Sequence, residues 1–348
     1  MDRGRNVAAG RESSFFICDG SLWVVGSNSK GTLGVGEDHA SCCQPIQLDM
    51  ESNIVSVSAS KDFCLLLDEN GRAYQVGNNM YEPKTMYTPE IIENIPKIKA
   101  IEASGYGYFL IDCDNNVWSS GYNAHSTLGK LLSYTFQTWE KLPNLANIQQ
   151  ISAGEFHTLF LDTNGIVWGC GDLRKGRLGQ GRPAEQMGYT LPKIIPGIPP
   201  VVMVSACNDH SMFLDVDGRV WLCGQNFSDA SNPRLKVEMV EELVDIVLIH
   251  AALVSCFAVD KAGVVYQLGT FGNVKNSTWK PFLPVKDVIE IASSRTHILF
   301  VDFNGSVWSF GENTSGQLAL GHCYHVDEPQ LCSVIIGRKT KTKSARNV

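Results

Sequence analysis

Residues 151–181 read ISAGEFHTLFLDTNGIVWGCGDLRKGRLGQG. Two apolar runs, 159–161 and 166–168, are each too short for a helix and are joined by Asp162-Thr163-Asn164-Gly165. Asparagine and glycine accept the positive φ of a tight turn, and the aspartate can accept hydrogen bonds from backbone amides two residues on. The stretch is predicted to be a β-hairpin preceded by a small-residue strand and followed by a glycine-rich segment. A single hairpin cannot bury its faces, so it needs partners of its own kind.

The chain supplies them. FFICDGSLWVVG (15–26), LLLDENGRAYQVG (65–77), FLIDCDNNVWSSG (109–121), LFLDTNGIVWGCG (159–171), MFLDVDGRVWLCG (212–224), FAVDKAGVVYQLG (257–269) and LFVDFNGSVWSFG (299–311) share one pattern. Their aromatic anchors are Trp23, Tyr74, Trp118, Trp168, Trp221, Tyr266 and Trp308, spaced by 51, 44, 50, 53, 45 and 42 residues. The period is therefore near 48 residues, a propeller-blade length.

Each unit ends in a glycine three residues past its anchor, a position expected to mark a bend or a close backbone approach. Six of the turns open on an aspartate (Asp68, Asp112, Asp162, Asp215, Asp260, Asp302), read here as structural. Upstream of each hairpin lies a small-residue element such as VSAS (57–60) or ISAGEFH (151–157), suited to strands packed side by side. Downstream, KGTLGVG (30–36), HSTLGK (125–130), KGRLGQG (175–181) and SGQLALG (315–321) form a third element that repeats two, five and six lack.

Seven all-β units of this length predict one seven-bladed β-propeller over residues 7–336, closed so that few strand edges stay exposed. The competing arrangement is an open solenoid, which would need polar capping repeats at both ends. Residues 1–6 are expected to be a flexible N-terminus and residues 337–348, GRKTKTKSARNV, a basic flexible tail.

The 348 residues are 44% hydrophobic and 19% charged, which excludes general disorder. There is no run of 18 apolar residues, and the polar start lacks the apolar centre of a secretory signal. Eleven scattered cysteines without a CxxC pair fit reduced thiols. These features predict a cytoplasmic or nuclear protein. Without its two ends the body carries a net charge of −13, which disfavours broad contact with nucleic-acid phosphates.

The string small-small-Gly-x-x-His, apolar run, Asp-x-x-Gly, Val-Trp or Val-Tyr, Gly and Gly-x-Leu-Gly resembles the repeat of the regulator of chromosome condensation family. The fourth repeat carries it nearly complete, and the resemblance spans roughly residues 6–336. It implies a seven-bladed propeller. The founding member is the nucleotide exchange factor for the small GTPase Ran and also docks on nucleosomes, whereas many other members resemble non-catalytic binding modules.

In that founding member, acidic residues just ahead of the repeat histidine in two consecutive blades, and a hairpin wedge after the first, act on Ran. By resemblance, the counterparts are Glu155 before His157, Asp209 before His210, and the loop Asp172-Leu173-Arg174-Lys175. The wedge candidate is short, the first acid is glutamate, and the family's histidine two blades on is Thr296. The other reading of Glu155 and Asp209 is that of exposed loop carboxylates. His157, His210 and His297 recur at one repeat position and are read as structural.

No constellation of acid, base and nucleophile points to a metabolic enzyme. His322, Cys323, His325 and Asp327 are close in sequence but lack the two separated pairs of a zinc site, so no metal or cofactor is expected. Three functions follow as expectations. The first is a propeller that binds a protein partner, such as a Ran-like small GTPase, through loops on one face. The second is a true guanine-nucleotide exchange factor, and the third a chromatin-associated module led by the basic tail.

Overall fold

The repeated aspartate builds the hairpin. In a computed structural model describing residues 5–78, 84–123, 125–130, 135–181, 188–272 and 274–335, the Oδ1 of Asp215 accepts the backbone N–H groups of Asp217 and Arg219 at 3.0 and 2.9 Å. The same double acceptance recurs at Asp68, Asp112, Asp162, Asp260 and Asp302. In five blades the second oxygen accepts from the anchor six residues on, as from Trp118 Nε1 to Asp112 at 3.0 Å and from Trp221 Nε1 to Asp215 at 2.9 Å. Aspartate and aromatic anchor, separate features in the sequence, are one hydrogen-bonded unit. The first repeat instead turns on Asp19-Gly20, both at positive φ, the two-residue hairpin that right-twisted strands favour.

Each unit becomes a four-stranded antiparallel sheet, and seven such sheets stand in sequence order: residues 7–48, 54–91, 98–141, 148–194, 201–239, 246–286 and 288–335. In the fourth, Ile148–Ala153 lines a central channel, His157–Asp162 and Val167–Asp172 follow outward, and Tyr189–Ile194 is outermost. The second strand of each blade is buried on both faces, which is why its centre reads as an unbroken apolar run, such as LFL within HTLFLD.

No blade has a core of its own. Seven apolar clusters fill the seven gaps between neighbouring blades, and one joins Val7, Phe16 and Val25 of the first to Leu299, Val301 and Val307 of the seventh. The ring is closed; the solenoid is excluded.

The closing glycine answers two demands at once. At all seven positions (Gly26, Gly77, Gly121, Gly171, Gly224, Gly269, Gly311) φ is positive and the register between the third and outermost strands slips, as in a glycine bulge. A Cβ at Gly171 would stand 2.5 Å from the Phe156 carbonyl oxygen.

The innermost strands are sheet edges, whose unpaired amides need acceptors. Neighbouring blades provide them: Ala103 N donates to Ser58 Oγ at 2.9 Å, Ala153 N to Glu102 at 3.1 Å, Ala206 N to Ser152 Oγ at 2.9 Å and Ala251 N to Ser205 Oγ at 2.8 Å. His250 bonds Ser293 at 2.7 Å, and Glu290 accepts the amides of Asn6 and Val7 at 2.8 and 3.0 Å. The small polar residues of the upstream element thus form a ring of hydrogen bonds around the channel. Arg5 and Asn6, expected within a flexible terminus, belong to it: Arg5 pairs with Glu102 at 2.7 Å and its amide reaches Ser56. Residues 1–4 and the basic tail 337–348 lie outside the described residues.

Candidate protein-docking site

The Gly-x-x-His loops and the Gly-x-Leu-Gly segments emerge at one end of the channel, because both leave the same ends of their strands. There the fourth and fifth blades carry the densest charge network among the described residues. Arg177, buried, places Nε 3.0 Å from Asp209 Oδ1 and 3.1 Å from the Asn208 carbonyl, and its NH1 lies 3.1 Å from Asp172 Oδ2. Its guanidinium rests 4.7 Å over the Phe156 ring. Lys175 Nζ donates to the other Asp209 oxygen at 2.6 Å, and Arg174 Nε donates to Asp172 at 2.7 Å.

Both aspartates are charged. Burial works against ionisation, but the Lys175 and Arg177 bonds overcome it and hold Asp209 below the usual carboxylate range. Asp172, likewise opposed by burial, is held low by Arg174 and Arg177.

The loop 172–175, the counterpart of the wedge by resemblance, is short and largely held within the fold. Asp172 ends a strand and is buried, Leu173 is buried, and Arg174–Gly176 forms one 3₁₀ turn with Lys175 at φ +59°. Only Arg174 and Lys175 present charge to solvent, their side chains 39% and 56% exposed. Asp209 is not an exposed loop carboxylate either, since Arg177 and the fifth blade enclose it.

Glu155 is half-buried and pairs with Lys61 of the second blade at 2.8 Å, passing over the third blade's loop, where Lys61 Nζ sits 4.7 Å from the Tyr106 ring. Thr296 stands apart from this group, its hydroxyl donating to the Arg11 carbonyl at 3.2 Å between the seventh and first blades.

Two of the three repeat histidines are internal fasteners. His157 Nε2 bonds Ser211 Oγ of the next blade at 2.7 Å, and that hydroxyl donates to the Arg177 carbonyl; His297, Ser14 and the Gln317 carbonyl repeat the arrangement. Burial first, with Arg177 and His210 adding, pushes His157 down to about 3, and burial takes His297 to about 3. His210 packs edge-on against Phe227 and is lowered to about 4, again by burial. Among the described residues no group of three or more His, Cys, Asp or Glu side chains converges as a metal site would require, and His325 bonds Asp327.

The Regulator of chromosome condensation (RCC1) repeat matches residues 19–67, 148–177, 164–214, 288–317 and 304–345. The chain belongs to the regulator of chromosome condensation repeat family. Its sequence is 22% identical over 353 residues to the human E3 ubiquitin-protein ligase HERC2, covering 92% of this chain and 7% of that protein. It is 24% identical over 242 residues to the human Regulator of chromosome condensation, covering 60% and 57%. The chain thus spans only part of the length of these relatives.

The crystal structure of human WBSCR16 superposes with TM-score 0.77 at 16% identity, over 90% of this chain and 94% of that one. Prp20p from Saccharomyces cerevisiae, solved in work on its binding to Gsp1p and histones, superposes with TM-score 0.75 at 18% identity, over 96% and 91%. These likenesses concern the fold.

Within the family repeat, Arg177 is the residue that sequence reading passed over. It fills the variable place of Gly-x-Leu-Gly, where the first, third and seventh blades hold Thr32, Thr127 and Gln317. Asn28, Asn123 and Asn313 accept the leucine amide of their own segments at 2.9–3.0 Å, but the fourth blade has Leu173 at that place. The two departures go together. With no asparagine to fix the turn, the Asp172–Arg174–Arg177 network does so, and lining up the four segments would have exposed it.

Proposed function

We propose that the chain is a protein-binding propeller that docks a small GTPase of the Ran class on the face carrying Glu155, Arg174 and Lys175. The observation that carries this reading is that two solvent-facing cations are anchored from below by buried, charged carboxylates. Such side chains lose little freedom when a partner binds, so their contacts are not offset by ordering. The description of Prp20p as a binder of Gsp1p supports the partner class. A GTPase partner places the chain in the cytoplasm or nucleus.

Docking without carboxylate-driven exchange is favoured over a true exchange factor, because Asp172 and Asp209 are committed to Arg174, Arg177 and Lys175. The test measures binding of GDP-loaded and nucleotide-free Ran by calorimetry, together with release of a fluorescent GDP analogue. Binding that weakens at least about tenfold in the variant R174E/K175E, some 1.4 kcal/mol, with GDP release unchanged, is expected. A chain that binds no member of a small-GTPase panel overturns the proposal, and accelerated GDP release replaces it with the exchange reading.

A further inference from the structure

A row of aromatic rings crosses from the third blade to the fourth on the face that carries Glu155, Arg174 and Lys175. Tyr106, in the third blade's Gly-x-x-His position, meets Tyr122 edge-on with ring centroids 5.8 Å apart. Tyr122 ends the third strand of that blade, and His125 follows in the segment after it. Phe156, next to Glu155 in the chain, meets His125 edge-on at 5.1 Å, and Tyr189 of the fourth blade's outermost strand lies 5.6 Å from the same imidazole. Burial holds His125 below the usual imidazole range, so the row is uncharged at pH 7.

None of these five rings belongs to the apolar clusters that fill the gaps between blades. Tyr189 is 52% exposed, and the other four are half-buried. The rings therefore contribute to no blade interface, yet their contacts with one another hold them in place, so few torsions remain to be frozen when a partner covers them.

Cations bracket the row. Lys61 Nζ stands 4.7 Å from the Tyr106 ring at one end. At the other, Tyr189 is paired in register with Asp172, and Leu173 N donates to the Gly188 carbonyl at 3.0 Å, which sets Tyr189 beside the turn of Arg174 and Lys175. Phe156 also supports the Arg177 guanidinium that anchors this turn. Aromatic rings edged by arginine are the composition of an interface's energetic centre, and the exposed positive charge beside them selects an acidic partner surface.

We propose that this aromatic row is the apolar anchor of the docking face, receiving an aliphatic or aromatic side chain from a loop of the GTPase whose neighbouring carboxylates meet Arg174 and Lys175. This assignment rests on the reading that a small GTPase docks on this face. It adds what the GTPase must present there: one apolar side chain set among acidic ones.

The test is calorimetry of the full chain with the panel GTPases at about 50 mM and about 300 mM salt, where screening separates charged from apolar contacts. Tyr189→Ala is expected to weaken binding at least about tenfold at both salts and to make the heat-capacity change of binding less negative. Tyr189→Phe, which keeps the ring, should bind as the parent does. Tyr324→Ala, which removes an exposed ring outside the row, should also bind as the parent does. The effect of R174E/K175E should shrink at the higher salt. Unmoved thermal midpoints show that the tyrosine variants are folded. A folded Tyr189→Ala chain that binds as tightly as the parent, or whose deficit vanishes at the higher salt, overturns the anchor and leaves the docking reading standing. A parent chain that binds no panel GTPase removes the docking reading and the anchor together.

Discussion

Arg177 and Asp209 meet across the boundary of the fourth and fifth blades, both buried, with Nε 3.0 Å from Oδ1. A pair so enclosed adds little net stability while intact, but removing Arg177 leaves Asp209 charged and enclosed with Lys175 as its remaining cation. Arg177→Ala is therefore expected to cost about 3–5 kcal/mol in urea unfolding. Because Asp209 is held below the usual carboxylate range, its contribution is complete above the unfolded value near 4 and is lost as pH falls through the folded value. Asp209→Asn should thus be less stable than the parent at pH 7 and lose less between pH 5 and pH 3. A parallel acid profile for the two would refute the assignment.

Gly171 illustrates a constraint imposed by backbone alone. Any Cβ there meets the Phe156 carbonyl at 2.5 Å, on a backbone at φ +112°. Gly171→Ala is expected to lower stability by about 1–3 kcal/mol, the cost of a strained backbone position, and Gly36→Ala by less, since a Cβ at Gly36 meets nothing within 4 Å. Thermal unfolding of the two variants side by side decides the matter.

Asp215 serves the turn through one oxygen and Trp221 through the other. Asparagine keeps an acceptor for the turn amides but offers only N–H groups to the indole. Asp215→Asn should cost about 1 kcal/mol and Asp215→Ala about twice that, following the usual worth of a buried hydrogen bond. The equivalent pair of variants at Asp162, where Trp168 makes no such bond among the described contacts, should lose only the turn component.

What the sequence made legible was everything that repeats. Asp-x-x-Gly, the aromatic anchor and the closing glycine recur because each solves a local problem of one hairpin, so seven copies reveal the blade and its number. The relationships between blades left weaker traces. Glu155 meets Lys61 from 94 positions away, and Glu102 and Glu290 lie inside strands otherwise chosen for small size, their purpose visible only once the channel closes. Glu155 and Asp209 stand out in the sequence only by resemblance, and that resemblance does not disclose that Arg177 covers the second.

The buried histidines give the chain a pH limit that charge counting would miss. His157, His250 and His297 lie near 3 and His210 near 4 in the folded chain, each lowered by burial, against about 6.5 when unfolded. Between these values the unfolded chain binds protons that the folded chain refuses, so stability is intact above about pH 6.5 and falls as pH drops below it. Each histidine contributes a slope of about 1.4 kcal/mol per pH unit once fully protonated in the unfolded state. His297→Gln, which can still reach Ser14 through its amide, should be modestly less stable at pH 7.5 and show a slope smaller by about that amount between pH 6 and pH 5. Urea midpoints at half-unit pH steps measure it, and an unchanged slope would mean that His297 is charged in the folded ring.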